Sequence, residues 1–412
     1  MTPQTQAAGV SAGRTFAALW DSLLPVGRAP STGGYRRFAW SAADLECREW
    51  FRGEAGARGM DVEQDRNGNL WAWWGPPGPN AFVTGSHLDS VPDGGAFDGP
   101  LGVVSAFAAV DRARAHGVVP TRPVAVAAFS DEEGARFGVA CIGSQLLTGA
   151  LSPDRARALT DVDGVTLAEA MASAGADPGA LGRDDEQLAR IGTFVELHVE
   201  QGRGLVDLGA PVGVATSIWP HGRYRFTFTG EANHAGTTRL EDRRDPMLTF
   251  AETVLSARKR ALLADARATF GKVHVEPGGT NAIPSVVRAW LDARAVDEDS
   301  LRALVEDIAE RAVARAERDG TTVEHVAESV APVVHFDPTL RDAVSAELGG
   351  VPLLPTQAGH DAGVLSPHVP TTMLFVRNPT GVSHSPAEHA DEADCLAGVD
   401  ALTALLVAQV GR

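Results

Sequence analysis

Residues 83–104 constrain this chain more than any other stretch, and they read VTGSHLDSVPDGGAFDGPLGVV. The apolar residues at the start predict a buried strand that leads to His87 and Asp89. A loop rich in glycine, proline and aspartate then carries Asp98, and the apolar residues 101–110 predict a helix. α/β enzymes place reactive side chains at the carboxyl ends of strands in this way. The stretch therefore predicts an α/β fold and one half of a metal site.

Composition narrows the function classes. The 412 residues are 44% hydrophobic and 22% charged, which is typical of a globular protein of two or three domains. The net charge is -17, from 53 acidic and 36 basic residues, and it disfavours nucleic acids and anionic membranes as partners. The three cysteines have neither disulfide nor metal-site spacing, which favours a reducing compartment. The first 24 residues lack the pattern of a secretory signal. We therefore predict a cytoplasmic protein.

Periodicity predicts two kinds of domain. Between residues 223 and 326 the order strand, helix, two strands, helix, strand is a split βαβ pattern. We predict an α/β catalytic domain, with a mixed sheet flanked by helices, formed by residues 1–217 and 329–412. A smaller α+β domain of ferredoxin-like type, residues 218–328, is predicted to be inserted between these two segments. The predicted helices are 14–28, 42–59, 101–110, 247–264, 300–318 and 396–410. A hairpin is predicted at 62–74, and the further predicted strands are 122–129, 194–199, 223–229, 268–275, 286–295, 321–326, 351–355 and 370–376.

Histidines and carboxylates recur in four loops at predicted strand ends. Three histidines with two or three carboxylates suit zinc, or manganese and cobalt if oxygen ligands dominate. Two adjacent metals need a shared ligand, and a short carboxylate in a glycine-rich loop, such as Asp98, is the natural candidate. The candidates are His87 with Asp98, Glu132 with Glu133, His198, and His384.

Eight segments in order along nearly the whole chain resemble one known family. They are GSHLDSVPDGGAFDGPLGV, DEEGARF, ELHVEQG, ANHAGTT, GGTNAIP, LDAR, AGHDA and GVSHSPAEH. They resemble the M20 family of metal-dependent amidohydrolases and peptidases, in its hydantoinase/carbamoylase branch. That branch includes N-carbamoyl-L-amino acid hydrolases, allantoate amidohydrolases and β-ureidopropionases. The resemblance implies a dinuclear metal amidohydrolase that cleaves a linear, non-peptide C–N bond.

The resemblance also implies a role for each matching residue. His87, Asp98 and His198 would hold one metal, and Asp98, Glu133 and His384 the other, with zinc, manganese, cobalt or nickel as the ion. Glu132 would be the general base, and Asp89 would fix the tautomer of His87. The other implied residues are His234 for the oxyanion, Asn281 and Arg294 for the substrate carboxylate, and Gln201, Gly359 and His360 as weaker substrate contacts. The resemblance also implies that the inserted domain is a lid and that a homodimer forms through it.

Some loops depart from the family pattern, and they bear on the substrate. Arg239 stands where proline usually follows HAGTT, and the segment before His384 introduces Arg377. We predict that Arg377 contacts a second anionic group, as in an N-carbamoyl or N-formyl derivative of an acidic amino acid. An N-carbamoyl-L-amino acid is the predicted substrate, and allantoate is the alternative. A peptidase or aminoacylase is disfavoured because His198 replaces a carboxylate, and a metal-free scaffold protein is disfavoured because every ligand is present.

Overall fold

The computed structural model describes residues 15–411, which form two compact units. The first unit comprises the described residues up to 216, together with 335–354 and the described residues from 359 onward. The second unit comprises residues 217–334 and 355–358. Residues 1–14, which bear on the predicted absence of a secretory signal and include the start of the helix predicted at 14–28, lie outside the described part.

A mixed sheet of nine strands forms the centre of the first unit. Numbered along the whole chain, its strands are β1 Asp61–Gln64, β2 Leu70–Trp74, β3 Ala81–His87, β4 Val124–Phe129, β5 Ile191–Val199, β6 Val212–Ile218, β13 Val334–His335, β14 Leu353–Thr356 and β15 Thr371–Val376. Their order in the sheet is β1-β2-β4-β3-β5-β15-β6-β13, and β14 pairs with β6. Strand β3 is parallel to β4 and β5, and β5 is parallel to β15, whereas β2 pairs antiparallel with β4 and β6 pairs antiparallel with β15.

Helices cover this sheet, and the predicted mixed sheet flanked by helices is confirmed. Strands β3, β4 and β15 are buried along their whole length, as parallel strands covered on both faces must be. The helices of this unit are α1 Phe16–Leu23, α2 Ala42–Ala57, α3 Pro100–Ala115, α4 Ile142–Thr148, α5 Pro153–Arg157, α6 Leu167–Ser173, α7 Asp185–Arg190, α8 Gly204–Leu208, α11 Pro338–Glu347, α12 Asp361–Leu365 and α13 Glu392–Val410.

Helix α13 is long and apolar enough to cross a membrane by length and composition alone. It packs against α3 and β15 instead, and its buried leucines and valines belong to the main hydrophobic core. A core helix of this kind passes the same test of length and composition. We therefore assign α13 to the core of the first unit.

A four-stranded antiparallel sheet forms the centre of the second unit. The elements of this unit are β7 His221–Thr229, β8 Asn233–His234, α9 Pro246–Leu263, β9 Arg267–Glu276, β10 Ala282–Ile283, β11 Val286–Arg294, α10 Glu298–Asp319 and β12 Thr322–Ala331. The order of the sheet is β12-β7-β11-β9. Alternate side chains of β7, including Phe226 and Phe228, are buried in one cluster with residues of α9 and α10. The intervening side chains are more exposed, which is the alternation expected of a sheet with one covered face.

Candidate metal centre

The topology of the first sheet brings the four predicted ligand loops together. Strands β4, β3, β5 and β15 are consecutive in the sheet and run parallel, so their carboxyl ends meet at one edge. His87 ends β3, and His198 is the second-last residue of β5. The pair Glu132 and Glu133 follows β4, and His384 follows β15.

Asp98 lies between two histidines. Its Oδ1 atom is 3.4 Å from Nε2 of His87 and 3.2 Å from Nε2 of His198. The donor atoms of these three buried residues all lie within 4.8 Å of one another. Two imidazoles and one carboxylate form a ligand set that zinc, manganese and cobalt accept. This group is therefore a candidate for one metal ion.

The other carboxylate oxygen of Asp98 belongs to a second group. Its Oδ2 atom is 3.5 Å from Nε2 of His384, which in turn is 3.6 Å from Oε2 of Glu133. The donor atoms of Asp98, Glu133 and His384 also lie within 4.8 Å of one another. Because Asp98 offers one oxygen to each group, it is placed to join two metal sites.

The two buried histidines have the tautomer that a metal ligand requires. Nδ1 of His87 lies 3.2 Å from the carbonyl oxygen of Asp89, and Nδ1 of His198 lies 2.9 Å from that of Val199. A carbonyl oxygen only accepts hydrogen bonds, so Nδ1 of each ring carries a proton, and in the neutral ring Nε2 keeps its lone pair. Both Nε2 atoms are buried and have no hydrogen-bond partner among residues 15–411. The donor set therefore fits a divalent cation.

A third group of possible ligands comprises Glu196, His198 and His360. Both oxygens of Glu196 already accept hydrogen bonds, one from the Ser86 hydroxyl at 2.7 Å and one from the Ala362 N–H at 2.9 Å. The His360 ring lies 4.5 Å from the His198 ring, between centroids, and burial lowers the pKa of His360 well below its ordinary value. His360 is therefore a neutral neighbour of the candidate centre. Glu196 connects Ser86 to the backbone of Ala362 beside it.

The centre carries excess negative charge in a buried place. Burial raises the pKa of Glu132 well above its ordinary value, and burial and the charge of Asp98 raise the pKa of Glu133 to about 8. Burial opposes ionisation of Asp98 too, but His198 and His87 hold its pKa well below its ordinary value. Buried carboxylates without enough opposite charge are costly. Cations at this position would remove that cost.

The two adjacent glutamates have different surroundings. Oε2 of Glu132 lies 3.7 Å from Nε2 of His87, and its Oε1 accepts a hydrogen bond from the Cys141 thiol at 3.5 Å. The Asp89 carboxylate accepts the backbone N–H groups of Glu132 and Glu133, at 3.1 and 3.0 Å. Asp89 therefore connects the first ligand loop to the second, a contact that the sequence did not indicate. Nδ1 of His87 lies 3.5 Å from Oδ1 of Asp89 but only 3.2 Å from the backbone carbonyl oxygen of Asp89.

Glycine is required directly after Asp98. Gly99 has a φ of +84°, and a Cβ atom there would lie 2.4 Å from Cε1 of His87. Because glycine has no Cβ atom, the His87 ring can lie against the ligand loop. His384 has a φ of +54°, in the left-handed region that residues other than glycine rarely adopt. Strained backbone of this kind concentrates at functional sites.

The weaker substrate candidates of the first unit lie near the same atoms. Nε2 of Gln201 donates to Oδ2 of Asp98 at 2.8 Å and to the Ser383 hydroxyl at 3.1 Å. It also lies 3.3 Å from Nε2 of His384. Gly359 is exposed and directly precedes His360. The structure therefore brings Gln201 to the second ligand group.

Three predicted residues lie in the second unit. The backbone N–H of Ala235 donates to the carbonyl of Asn281 at 2.9 Å, so His234 and Asn281 lie on neighbouring segments. Nδ1 of the exposed His234 accepts the N–H groups of Gly236 and Thr237, at 3.0 and 3.2 Å. The ring proton of a neutral His234 is therefore on Nε2, which is left free to donate.

Arg294, at the end of β11, has polar partners within its own unit. Its Nε and Nη2 atoms donate to the carboxylate of Asp292 at 2.8 and 3.2 Å. Its Nη1 atom donates to the backbone carbonyl of Gln357. Asp292 therefore fixes the orientation of the guanidinium group.

Arg377 also has a partner of its own. Its Nε and Nη2 atoms donate to the two carboxylate oxygens of Asp394, each at 2.8 Å. The Asp394 side chain is 4% exposed and lies in the first turn of α13, whereas the Arg377 side chain is 30% exposed. The bidentate pair gives Arg377 a structural role at the start of α13. The predicted contact with substrate stays a prediction.

Comparison with known proteins places this arrangement in a family. Residues 83–408 match the sequence model of peptidase family M20/M25/M40. The chain belongs to this family. The match spans the strand of His87, the loops of Asp98, Glu132 and Glu133, and the segments of His198 and His384, so the whole candidate centre lies within the M20 region.

Relatives of this M20 chain extend over almost its full length. It is 39% identical to the N-carbamoyl-L-amino acid amidohydrolase of Geobacillus stearothermophilus, across 93% of this chain and 96% of that protein. It is 33% identical to the allantoate amidohydrolase of Escherichia coli K12, across 92% of this chain and 93% of that protein. The solved amidase of the hydantoinase/carbamoylase family from Burkholderia multivorans superposes with a TM-score of 0.84, at 30% identity, across 96% of this chain and 98% of that one. The resemblance read from the eight segments is therefore confirmed.

Proposed function

We propose that this M20-family chain is a dinuclear metal-dependent amidohydrolase that cleaves the carbamoyl C–N bond of an N-carbamoyl-L-amino acid or a similar ureido carboxylate. The observation that carries the proposal is Asp98, whose two oxygens belong to two separate groups of possible ligands. The substrate class is supported by the relatives, which include an N-carbamoyl-L-amino acid amidohydrolase and an allantoate amidohydrolase.

The ligand roles follow from the two groups. His87, Asp98 and His198 would hold one divalent ion, and Asp98, Glu133 and His384 the other. Zinc, manganese, cobalt and nickel all suit this mixture of imidazole and carboxylate. Two such ions would lower the pKa of a water molecule and polarise the carbonyl oxygen of the carbamoyl group.

Glu132 would transfer the proton. Its Oε2 atom takes a proton from the attacking water as the water oxygen bonds to the carbamoyl carbon. The same carboxyl then gives that proton to the leaving nitrogen as the C–N bond breaks, so the products are the free amino acid and carbamate. The Glu132 carboxyl is buried beside His87 and belongs to neither ligand group, so it would stay free to carry the proton.

The second unit would bind the rest of the substrate. His234 would donate from Nε2 to the oxyanion, and Asn281 and Arg294 would bind the substrate carboxylate. Gln201, Gly359 and His360 would contact the ureido group or the carboxylate. We further propose that the inserted domain, residues 218–328, is a ferredoxin-like lid that closes over substrate and forms a homodimer, and that the enzyme is cytoplasmic.

Allantoate is the second candidate substrate, because an allantoate amidohydrolase is similar over nearly the whole chain. It is also a ureido carboxylate, so the proposed chemistry is the same. Two further alternatives are N-formyl derivatives of acidic amino acids and, separately, peptides.

A hydrolysis panel tests the proposal. Metal-free protein should be inactive, and it should regain activity when zinc, manganese, cobalt or nickel is added. The panel contains N-carbamoyl-L-amino acids, allantoate, N-formyl amino acids and dipeptides, with release of amine or ammonia as the readout. We expect turnover of N-carbamoyl-L-amino acids or allantoate. Turnover of dipeptides alone, or full activity without metal, would contradict the proposal.

Arg377→Ala is expected to affect stability more than specificity. The change leaves the buried Asp394 carboxylate unpaired, and we expect a loss of about 1–2 kcal/mol in the free energy of unfolding, less than for a fully buried pair because Arg377 is partly exposed. Thermal unfolding measures it, with Arg341→Ala as the control because Arg341 pairs with the exposed Asp342. A selective loss of kcat/KM on acidic N-carbamoyl substrates would instead support substrate contact.

A further inference from the structure

Glu388 is buried close to the candidate centre, although it belongs to neither ligand group. Its Oε1 atom accepts hydrogen bonds from the backbone N–H groups of Phe97 and Asp98, both at 3.0 Å. Its Oε2 atom accepts a hydrogen bond from the Ser383 hydroxyl at 3.2 Å. A single carboxylate thus joins the loop that carries Asp98 to the loop that carries His384.

The surrounding residues are adapted to this carboxylate. A Cβ atom on Gly95 would lie 2.3 Å from Oε1 of Glu388, so a larger residue at position 95 would displace the carboxylate. The Ser383 hydroxyl also lies 3.2 Å from Oδ2 of Asp98. The backbone N–H of Glu388 donates to the carbonyl of Ser385 at 3.0 Å, which closes the turn after His384. These contacts connect Glu388 to the loop of Asp98 and to the turn that carries His384.

We propose that Glu388 is a positioning residue that fixes Asp98 relative to His384, so that the two side chains can hold one ion between them. The inference rests on the proposed function. Without the carboxylate, two backbone N–H groups of the Asp98 loop lose their acceptor, and the two loops lose their direct connection. Partners that orient metal ligands are worth about 10–100-fold in metal affinity.

The test measures metal affinity and not only activity. Metal-free wild type, Glu388→Ala and Glu388→Gln each compete for zinc with a chromophoric chelator. Glu388→Ala should bind at least one of the two ions about 10–100-fold more weakly. Glu388→Gln keeps an oxygen that can accept both N–H groups, so its affinity should stay within about fivefold of wild type.

Asp337→Ala is the matched control. Asp337 accepts the backbone N–H of Leu340 at 2.7 Å and caps α11, so the change removes a carboxylate from backbone donors without touching either ligand loop. If Glu388 only stabilises the fold, Glu388→Ala and Asp337→Ala will both lower Tm and leave zinc affinity unchanged. That result would overturn the proposal. The visible absorption spectrum of the cobalt-loaded protein gives a second readout, which should change in Glu388→Ala and not in Asp337→Ala.

Two further outcomes are decisive. If wild type does not bind two zinc ions, both the proposed function and this inference fail. If wild type binds two and Glu388→Ala binds them equally well, the inference alone fails. Should Glu388→Ala not fold, Ser383→Ala removes only the hydroxyl between Glu388 and Asp98, and we expect zinc affinity to fall about threefold to tenfold. An unchanged affinity in that variant would overturn the proposal.

Discussion

Glu132→Gln is expected to lower kcat by about 10²–10⁴-fold while both metal ions stay bound. The amide has nearly the same shape as the carboxyl but cannot take a proton from water and return it to the leaving nitrogen. Oε2 of Glu132 lies 3.7 Å from Nε2 of His87, and neither ligand group includes Glu132. The measurement is kcat on the best substrate of the panel, together with metal content by elemental analysis.

Glu133→Gln is the matched control for this experiment, because it makes the same chemical change one residue further along. Glu133 lies in the second ligand group, so this variant should lose bound metal as well as activity. The two variants therefore separate proton transfer from metal binding. A Glu132→Gln enzyme that keeps kcat within tenfold of wild type would show that another group is the base, and one that loses its metal would make Glu132 a ligand.

Asp98→Asn is expected to weaken the binding of both ions together. The change keeps the shape of the side chain but removes the charge that both groups share, and an amide nitrogen offers no lone pair to a metal. We expect an affinity loss beyond the ~10–100-fold that outer contacts are worth, with activity at background. Zinc titration of the metal-free protein gives affinity and stoichiometry in one experiment.

Asp89→Asn provides the comparison, since Asp89 lies in the same loop but contacts backbone N–H groups of the next loop. It should weaken metal binding by only about 10–100-fold. If Asp98→Asn loses one ion and binds the other as wild type does, Asp98 belongs to one site only. If it binds both normally, the proposed centre is wrong.

Much of the fold could be predicted because the strands that carry the ligand loops are short apolar runs that end in polar loops. The hairpin was predicted from Asn67 and Gly68, and β1 and β2 pair antiparallel there with Trp71 buried. Strand β6 and helix α11 were not predicted. Strand β6 pairs antiparallel to β15, a partner far along the chain, so no local pattern indicates where it belongs.

The candidate centre was predicted only as far as its chemistry has a sequence signature. Histidines and paired carboxylates after apolar strands are visible in the sequence. The residues that position these ligands are not visible in the sequence. Glu388, for example, accepts a hydrogen bond from the backbone of a loop about 290 positions away. Arg377 is a different case: its position near a motif predicts substrate contact, which stays a prediction, and its partner Asp394 is not indicated by any pattern in the sequence.

The position of β15 has a consequence for how the enzyme is made. This strand lies between β5 and β6 in the sheet, yet the ribosome reaches it long after both of them. Until it emerges, the nascent chain has a gap in its central sheet and lacks the loop of His384, so a two-ion centre cannot form. Such long-range pairing is slow and leaves strand edges open. Metal loading should therefore be a late event in biogenesis, after β15 has joined β5 and β6.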